Sequence, residues 1–440
     1  MKKGKREYFP AVLVSLAFVI LILLPSCKKD NPVIPPVEPP PVVKDTITLS
    51  AEGTTHRSIE LKVQSTTNDS SLKIKLFRVF NSAETMISEY PILAKDTAII
   101  DDDNGNGLQL NTEYSYYAVT VDTSGEVKDT SNQITAGTLA ATSHNYTWQE
   151  YDIGNWQSVL YDVWGTDENN VYAVGFVAID DTAFSIWHWD GTEWNPVLTK
   201  AGGTAIYGFS ATDIWTLGGS IFHYDGVTWE EILFKNRVLV DNIPYTTLWG
   251  TSSNDMYFGS TRGKIIHWDG TKAEIIYDTG GYYITDIYGT GPDNIWVCGG
   301  RTSGNWDNLL LHYDGYTWIE DKSLPIPILQ AGSILSFNPR ENYIVGNRIL
   351  QGYTDHWTQI PGGLSYGAGC VRGDNSNNIF ASGAFGFIIH FNGIDWHIYT
   401  ELSTPSGGVL HGIFPIGNKV FAVGYNEDHS AAKIIIGTKN

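Results

Sequence analysis

The sequence is poor in cysteine and in basic residues, and both shortages exclude functions. Its 440 residues contain 28 Lys and Arg against 48 Asp and Glu, which gives a formal net charge of −20 at pH 7. Because a surface that binds nucleic acid needs surplus Lys and Arg to neutralise phosphates, we exclude nucleic acid as a partner. Only three Cys are present. Cys298 and Cys370 fall in different copies of an internal repeat, so we expect two small buried side chains and no disulfide.

The N-terminal apolar run is too short to span a membrane. Residues 11–24 form a 14-residue stretch in which Ser15 is the only polar side chain, whereas a membrane-spanning helix needs roughly 20 apolar residues. Four basic residues lie among the first six positions. This composition predicts a cleavable signal peptide over residues 1–26.

The sequence Leu-Pro-Ser-Cys at residues 24–27 resembles the lipobox of bacterial lipoproteins. The resemblance implies that Cys27 is acylated through its thiol and becomes the new N-terminus; an ordinary secretory signal is the alternative. Lys28 stands where the Asp that retains some lipoproteins in the inner membrane would be, so we expect a lipid anchor in the outer membrane. The cell surface is the favoured side and the periplasmic face the alternative.

A proline-rich segment follows the proposed lipidation site. Residues 27–43 include the run PPVEPPPVV, and such sequences favour an extended polyproline II conformation at about 3.1 Å per residue. We therefore expect a tether between the lipid and the folded part of the chain.

The remaining composition favours β-structure. Aromatic residues make up 13% of the chain, charged residues 17%, and there are 45 Gly, which fits strands joined by many turns. Residues 44–142 contain short alternating runs such as Ser58–Val63, and they predict a β-sandwich. The segment Leu108–Ala118 resembles the strand F signature of fibronectin type III domains. The resemblance implies that the Tyr114 hydroxyl bonds back to nearby backbone.

One motif in this region has the spacing of a calcium-binding loop. Asp102, Asn104, Asn106, Gly107 and Glu113 satisfy the EF-hand pattern. An EF-hand requires flanking helices, whereas the residues after Gly107 alternate as a strand does. The context favours an acidic turn between two strands, and calcium binding by the loop stays open.

The strongest signal is an internal repeat over residues 145–440. One copy contains Trp-Gly-Thr at 164–166, Val-Tyr-Ala-Val-Gly at 171–175 and His-Trp-Asp-Gly at 188–191. Seven copies at steps of about 40 residues, each with four strand-like runs, predict a seven-bladed β-propeller. The glycine that ends the second strand recurs at Gly175, Gly218, Gly259, Gly299, Gly346, Gly383 and Gly424.

These units resemble those of the kelch-like superfamily of bacterial propellers. The order of strands along the chain predicts how the ring of blades closes. The seventh unit ends at Asn440 after its third strand, whereas Tyr146–Tyr151 precedes the first unit and resembles an isolated fourth strand. We therefore expect residues 145–152 to complete the seventh sheet, which removes an exposed edge.

Histidine occupies one repeat position in five units. Equivalent positions on separate blades are spread around a ring, so these side chains cannot converge on one metal ion with bonds near 2 Å. We expect each to brace its own blade by hydrogen bonding, and we predict no metal and no cofactor. The five are His188, His223, His267, His312 and His390.

The variable loops of the repeat indicate where a ligand binds. In a propeller, the turns between the first and second and between the third and fourth strands lie on one face, and here they are short and regular. The loops of the opposite face vary, and binding usually resides in such loops. The candidate ligand-binding residues on that face are Trp156, Tyr245, Tyr282, Tyr283, Arg301, Trp306, Tyr366 and Tyr425.

No constellation of catalytic residues is recognisable in the sequence. We therefore expect a non-catalytic, monomeric module that binds a glycan or an extracellular protein, because flat aromatic side chains beside polar groups suit either ligand. Two alternatives remain open: a polysaccharide hydrolase or lyase, and an architectural subunit of an envelope complex.

Overall fold

The computed structural model describes residues 47–92, 96–198, 203–218, 220–232, 244–301, 308–324, 332–353, 356–360, 367–403 and 407–440. Within these ranges every regular element is a β-strand and no helix is present. No helix long and apolar enough to cross a membrane occurs in the described part of the chain. The predicted lipidation site Cys27 and two candidate ligand-binding residues, Trp306 and Tyr366, lie outside the described residues.

The first eight strands form two sheets. One sheet has the order β1-β2-β5, and the other has the order β4-β3-β6-β7 with β8 also paired to β6. Their bounds are β1 Ile47–Thr54, β2 Ile59–Ser65, β3 Lys73–Phe80, β4 Ala83–Pro91, β5 Asp96–Asp101, β6 Glu113–Val121, β7 Val127–Thr130 and β8 Ile134–Gly137. Alternating apolar residues of the two sheets, such as Leu61 and Leu76, form one buried core between them.

The hydrogen bond expected of Tyr114 is present. The backbone N–H of Gln109 donates to the Tyr114 hydroxyl oxygen at 2.9 Å, and the Tyr114 ring is buried in the core. This bond ties the loop just before β6 to a side chain that is packed in the core.

The acidic loop after β5 is held by arginines. Arg78 places Nη1 2.9 Å from Asp101 and Nη2 2.6 Å from Asp103, and Arg340 places Nη1 3.0 Å from the buried Asp102. The loop lies between two strands, β5 and β6, rather than between helices. Of the two carboxylates in the EF-hand pattern, Asp102 is therefore paired with a guanidinium, which favours the acidic turn.

The rest of the described chain forms seven antiparallel four-stranded sheets, six of them in sequence order and the last with the order β34-β35-β36-β9. The first three are β10 Val159–Asp167, β11 Asn170–Ile179, β12 Thr182–Trp189, β13 Trp194–Leu198; β14 Gly203–Ser210, β15 Asp213–Gly218, β16 Ile221–Tyr224, β17 Trp229–Ile232; and β18 Tyr245–Ser252, β19 Asp255–Ser260, β20 Lys264–Trp268, β21 Ala273–Asp278. The next three are β22 Tyr283–Gly291, β23 Asn294–Gly300, β24 Asn308–Tyr313, β25 Trp318–Glu320; β26 Ser333–Asn338, β27 Glu341–Val345, β28 Ile349–Tyr353, β29 His356–Gln359; and β30 Ala368–Asn375, β31 Asn378–Gly383, β32 Ile388–Phe391, β33 Trp396–Ile398. The last contains β34 Val409–Ile416, β35 Lys419–Tyr425, β36 Ala432–Lys439 and β9 Tyr146–Ile153.

The sheets follow one another around an axis. The first strand of each sheet packs against the first strand of the next, and β34 of the last sheet packs against β10 of the first. Apolar side chains fill the space between neighbouring sheets; one such cluster joins Leu160 and Val163 of the first sheet to Phe421 and Ile434 of the last. Cys298 and Cys370 are free and buried in two of these clusters, as expected.

The expected pairing between the two ends of the repeat region is confirmed. β36 and β9 pair antiparallel over their full length, with Ile434 opposite Tyr151 and Gly437 opposite Trp148. The backbone groups of β36 that would otherwise form an open edge are therefore satisfied by a strand that precedes the first sheet.

The five repeat histidines brace their sheets, as expected. In each case Nε2 lies within hydrogen-bond distance of an Asn or Asp side chain at or next to the start of the second strand of the same sheet. The pairs are His188–Asn170 at 2.7 Å, His223–Asp213 at 2.8 Å, His267–Asp255 at 2.6 Å, His312–Asn294 at 2.8 Å and His390–Asn378 at 2.9 Å.

The sandwich contacts one face of the ring of sheets. His56 bonds through its backbone N–H to Ser376 Oγ at 2.8 Å, and its Nδ1 lies 3.2 Å from the buried carboxylate of Glu341. The backbone N–H of Thr142 donates to the Asn392 carbonyl at 2.8 Å. These contacts involve turns between first and second or third and fourth strands, so the sandwich lies on the side of the short regular turns.

Candidate functional site

A cavity follows the axis of the ring and is lined by one residue from each first strand or the position just before it. Six of these seven lining residues lie at β-bulges, where one extra residue of the first strand is unpaired and can face the axis. We call these seven positions the mouth ring. They are Tyr161, Thr204, Thr246, Thr285, Gly332, Gly369 and His411.

Below the mouth ring lies the axial cavity, of about 250 Å³. In six of the seven first strands, the residue three positions after the mouth-ring residue lines this cavity, and five of these six side chains are aromatic. The wall residues at that position are Trp164, Tyr207, Trp249, Tyr288, Arg372 and Phe414.

An ion pair lies in this wall. Arg372 binds Asp286 in a bidentate manner, with Nη1–Oδ2 at 2.8 Å and Nη2–Oδ1 at 3.1 Å. Ser333 Oγ donates to Asp286 Oδ2 at 2.6 Å, and the guanidinium carbon lies 5.3 Å from the centre of the Tyr288 ring. Because Asp286, Ser333 and Arg372 belong to three neighbouring sheets, these charge-assisted hydrogen bonds fix the relative position of those sheets.

A second carboxyl group, Asp162, also lines the axial cavity. Burial raises its pKa to about 6, although Arg372 and hydrogen bonds from the Ile206 and Val163 backbone N–H groups, both at 2.9 Å, act in the opposite direction. With a pKa of about 6, the Asp162 carboxyl changes charge just below neutral pH.

Above the mouth ring the cavity widens into an outer mouth of about 720 Å³. Its walls are the starts of first strands and the ends of second strands, so it opens on the variable-loop face, opposite the sandwich. Tyr283 and Arg301 line one side. The described residues that line the outer mouth include no Asp or Glu, and no cluster of His, Cys, Asp and Glu suited to a metal ion occurs in the described part of the chain.

The opposite side of the outer mouth is lined by glycines, and two of them are not required by the backbone. A Cβ at Gly367 would come no closer than 4.0 Å to another atom, and one at Gly369 no closer than 3.8 Å. Neither has a positive φ. By contrast, a Cβ at Gly383 would lie 2.2 Å from a carbonyl oxygen. Gly367 and Gly369 therefore keep the outer mouth open without being needed for packing or for a turn.

A row of aromatic rings leads outward from the mouth ring. Tyr161 and His411 have ring centres 5.4 Å apart, His411 and Tyr425 5.6 Å, and Tyr425 stacks on His429 at 3.7 Å. Trp156, which is 66% exposed, lines the same cavity of about 360 Å³. We call these five residues the aromatic platform.

The structure brings together only part of the predicted set. Tyr283 and Arg301 line the outer mouth, and Trp156 and Tyr425 belong to the aromatic platform. Tyr282 does not line either cavity; its ring lies under the Arg301 guanidinium at 4.4 Å.

Tyr245 also lies away from both cavities. It is partly buried against the core at the start of β18, with its ring 5.8 Å from that of Phe258. Its neighbour Thr246 occupies the mouth ring instead, because the β-bulge turns that residue to the axis.

Sequence reasoning missed the mouth ring, although a signal for it exists. Each mouth-ring residue lies three positions before a repeat position that Trp164, Tyr207 or an equivalent residue fills. The identity at that position varies from Tyr to Thr, Gly and His, so it does not stand out as part of the repeat.

Comparison with known proteins agrees with this architecture. The sequence matches no protein-family model and no curated protein. Among solved structures, YCF48 bound to a D1 peptide superposes with a TM-score of 0.51 at 12% identity, over 68% of this chain and 99% of that one. The chain contains a β-propeller. A tetra-tandem repeat from the extending region of a large adhesion protein aligns over 90% of this chain and 99% of its own at 9% identity, with a TM-score of 0.17.

Proposed function

We propose that this chain is a lipoprotein of the bacterial outer membrane that binds a glycan or an extracellular protein without catalysis. The lipobox ending at Cys27 supports the anchor, and the proline-rich residues up to 43 support a tether. The ligand would bind the variable-loop face of a kelch-like, seven-bladed propeller; the seven sheets and the packing of β34 on β10 support that count.

The N-terminal sandwich is proposed to be a fibronectin type III domain. The sheet orders β1-β2-β5 and β4-β3-β6-β7 and the Gln109–Tyr114 hydrogen bond support this assignment. The sandwich would serve as a spacer, because its contacts with the propeller lie on the face opposite the outer mouth.

One observation carries the binding proposal: the outer mouth opens on the variable-loop face and is kept open by glycines that the backbone does not require. Its volume is in the range of small-molecule and peptide sites. YCF48, whose structure is similar, is bound to a D1 peptide in that structure, which supports the use of a propeller as a binding module.

The test is to fill the outer mouth. Gly369→Trp places a large side chain where the nearest atom to a Cβ is 3.8 Å away, and Gly369→Ala is the matched control. On a glycan array and in pull-downs from the envelope fraction, we expect wild type and Gly369→Ala to retain the same ligand and Gly369→Trp to lose it at unchanged melting temperature. Blank assays together with hydrolysis of a polysaccharide by the wild type would overturn the proposal.

A further inference from the structure

The aromatic platform is held in place before any ligand arrives. The backbone N–H of Gln157 donates to the His429 carbonyl at 2.8 Å, and that of Asn155 donates to the Ala178 carbonyl at 2.9 Å. Gln157 and His429 both adopt positive φ, 69° and 55°, a conformation that is uncommon for residues other than glycine. Trp156 therefore stays exposed on a loop that is fixed on both sides.

The charge of the platform cavity itself disfavours an anionic sugar ring. Asp428 is the only Asp, Glu, Lys or Arg among the described residues that line its cavity, and hydrogen bonds from Ser430 lower the pKa of that carboxyl, so it is ionised. Burial, and then the neighbouring His429, lowers the pKa of His411, so His411 carries no positive charge at neutral pH. An acidic sugar ring on the platform would therefore meet the Asp428 carboxylate, and the cation Arg301 lines the outer mouth rather than the platform cavity.

The same surface suits a sugar ring. A pyranose presents a face of C–H groups that packs on a flat aromatic side chain, and its hydroxyl groups need donors and acceptors at the edge of that contact. Trp156 and Tyr425 supply flat rings, and Asp428 and Gln157 supply polar groups in the same cavity.

The platform is continuous with the site on the axis. Tyr161 and His411 line the platform cavity, the outer mouth and the axial cavity. A ligand that covers Trp156 and also reaches the outer mouth must therefore be longer than one ring.

We propose that the aromatic platform binds one pyranose ring of a neutral, linear glycan whose chain continues into the outer mouth. This inference rests on the proposed function and selects the glycan over the protein as ligand. Trp156 contributes by stacking on the sugar and is a specificity-determining residue.

The test is calorimetric titration of the full chain with five hexasaccharides: cellohexaose, mannohexaose, maltohexaose, chitohexaose and hexagalacturonic acid. We expect at least one neutral sugar to bind and the acidic one not to bind. Trp156→Ala should weaken binding by about tenfold or more, and Trp156→Phe should restore part of it. The control is Tyr316→Ala, because Tyr316 is 90% exposed on a short turn of the opposite face; it should leave affinity within about twofold.

The outcomes separate this inference from the proposed function. If a neutral glycan binds, is lost in Gly369→Trp and is unaffected by Trp156→Ala, the mouth is used and the platform is not. If only hexagalacturonic acid binds, or if the ligand retained at the mouth is a protein, the inference fails while the proposed function stands. If no sugar and no protein binds wild type, both fail.

Discussion

His390 is expected to make the protein sensitive to acid. Its ring is fully buried, with Nε2 2.9 Å from Asn378 Oδ1 and Nδ1 2.8 Å from His144 Nδ1. Burial, followed by the nearby His144, Lys439 and His397, lowers its pKa from 6.5 to about 3. An imidazolium here would be surrounded by the Asn378 amide, two other imidazole rings and Lys439, with no carboxylate among these neighbours.

The direction and size of the effect follow from this shift. Below pH 6.5 the unfolded chain takes up a proton at His390, whereas the folded chain stays neutral there until the pH approaches 3. The stability that the buried neutral ring contributes above pH 6.5 is therefore lost as the pH falls, by about 1.4 kcal/mol per pH unit. Between pH 6.5 and about pH 5 the loss is about 2 kcal/mol.

The assay is urea unfolding followed by tryptophan fluorescence at about pH 7.5 and pH 5. His390→Gln removes the titrating group, so the free energy of unfolding of wild type should fall by about 2 kcal/mol more than that of the variant. His267→Gln is the control, because His267 occupies the equivalent position but faces the Asp255 carboxylate at 2.6 Å, which compensates a positive charge. Equal acid losses in wild type and His390→Gln would refute the reasoning.

Two further predictions concern the axial cavity and the closing strand. Burial raises the pKa of Asp162 from 3.8 to about 6, so the stability contributed by the protonated carboxyl is complete below pH 3.8 and is lost as the pH rises through 6. In the same urea assay, the unfolding free energy of Asp162→Asn should therefore rise by about 1 to 3 kcal/mol relative to that of wild type between about pH 4 and pH 7. A difference that stays constant over this range would contradict the prediction. A Cβ at Gly437 would lie 2.5 Å from the Trp148 ring and 2.7 Å from Val420, so Gly437→Ala should lower the unfolding free energy by about 1 to 3 kcal/mol. The control Gly369→Ala should leave the unfolding free energy unchanged. Equal stability of the two variants would show that the structure relaxes around the new methyl group at position 437.

Much of the fold was predictable because it depends on short-range patterns. The alternation of apolar residues and the Asp-Gly turns determine each strand and each hairpin. The position of Tyr146–Tyr151 ahead of the first repeat was enough to predict its pairing with β36, since a missing fourth strand leaves only one vacancy in the ring. The histidine braces were predictable for the same reason, because both partners belong to one sheet.

The candidate site was predictable only as a face. Loop variability indicated the side of the ring on which the outer mouth opens, and Tyr283 and Arg301 do line it. Tyr245 and Tyr282 lie elsewhere, because a β-bulge and a guanidinium stack decide where their rings point.

The sequence by itself determined the period of the repeat, the strands, the turns and the strand that completes the last sheet. Only the tertiary structure decided that Tyr161, His411 and Gly369 share one opening and that Arg372 of one sheet binds Asp286 of another. The physical reason is distance along the chain: pairing within a sheet depends on neighbouring residues, whereas convergence on the axis depends on how all the sheets pack around it.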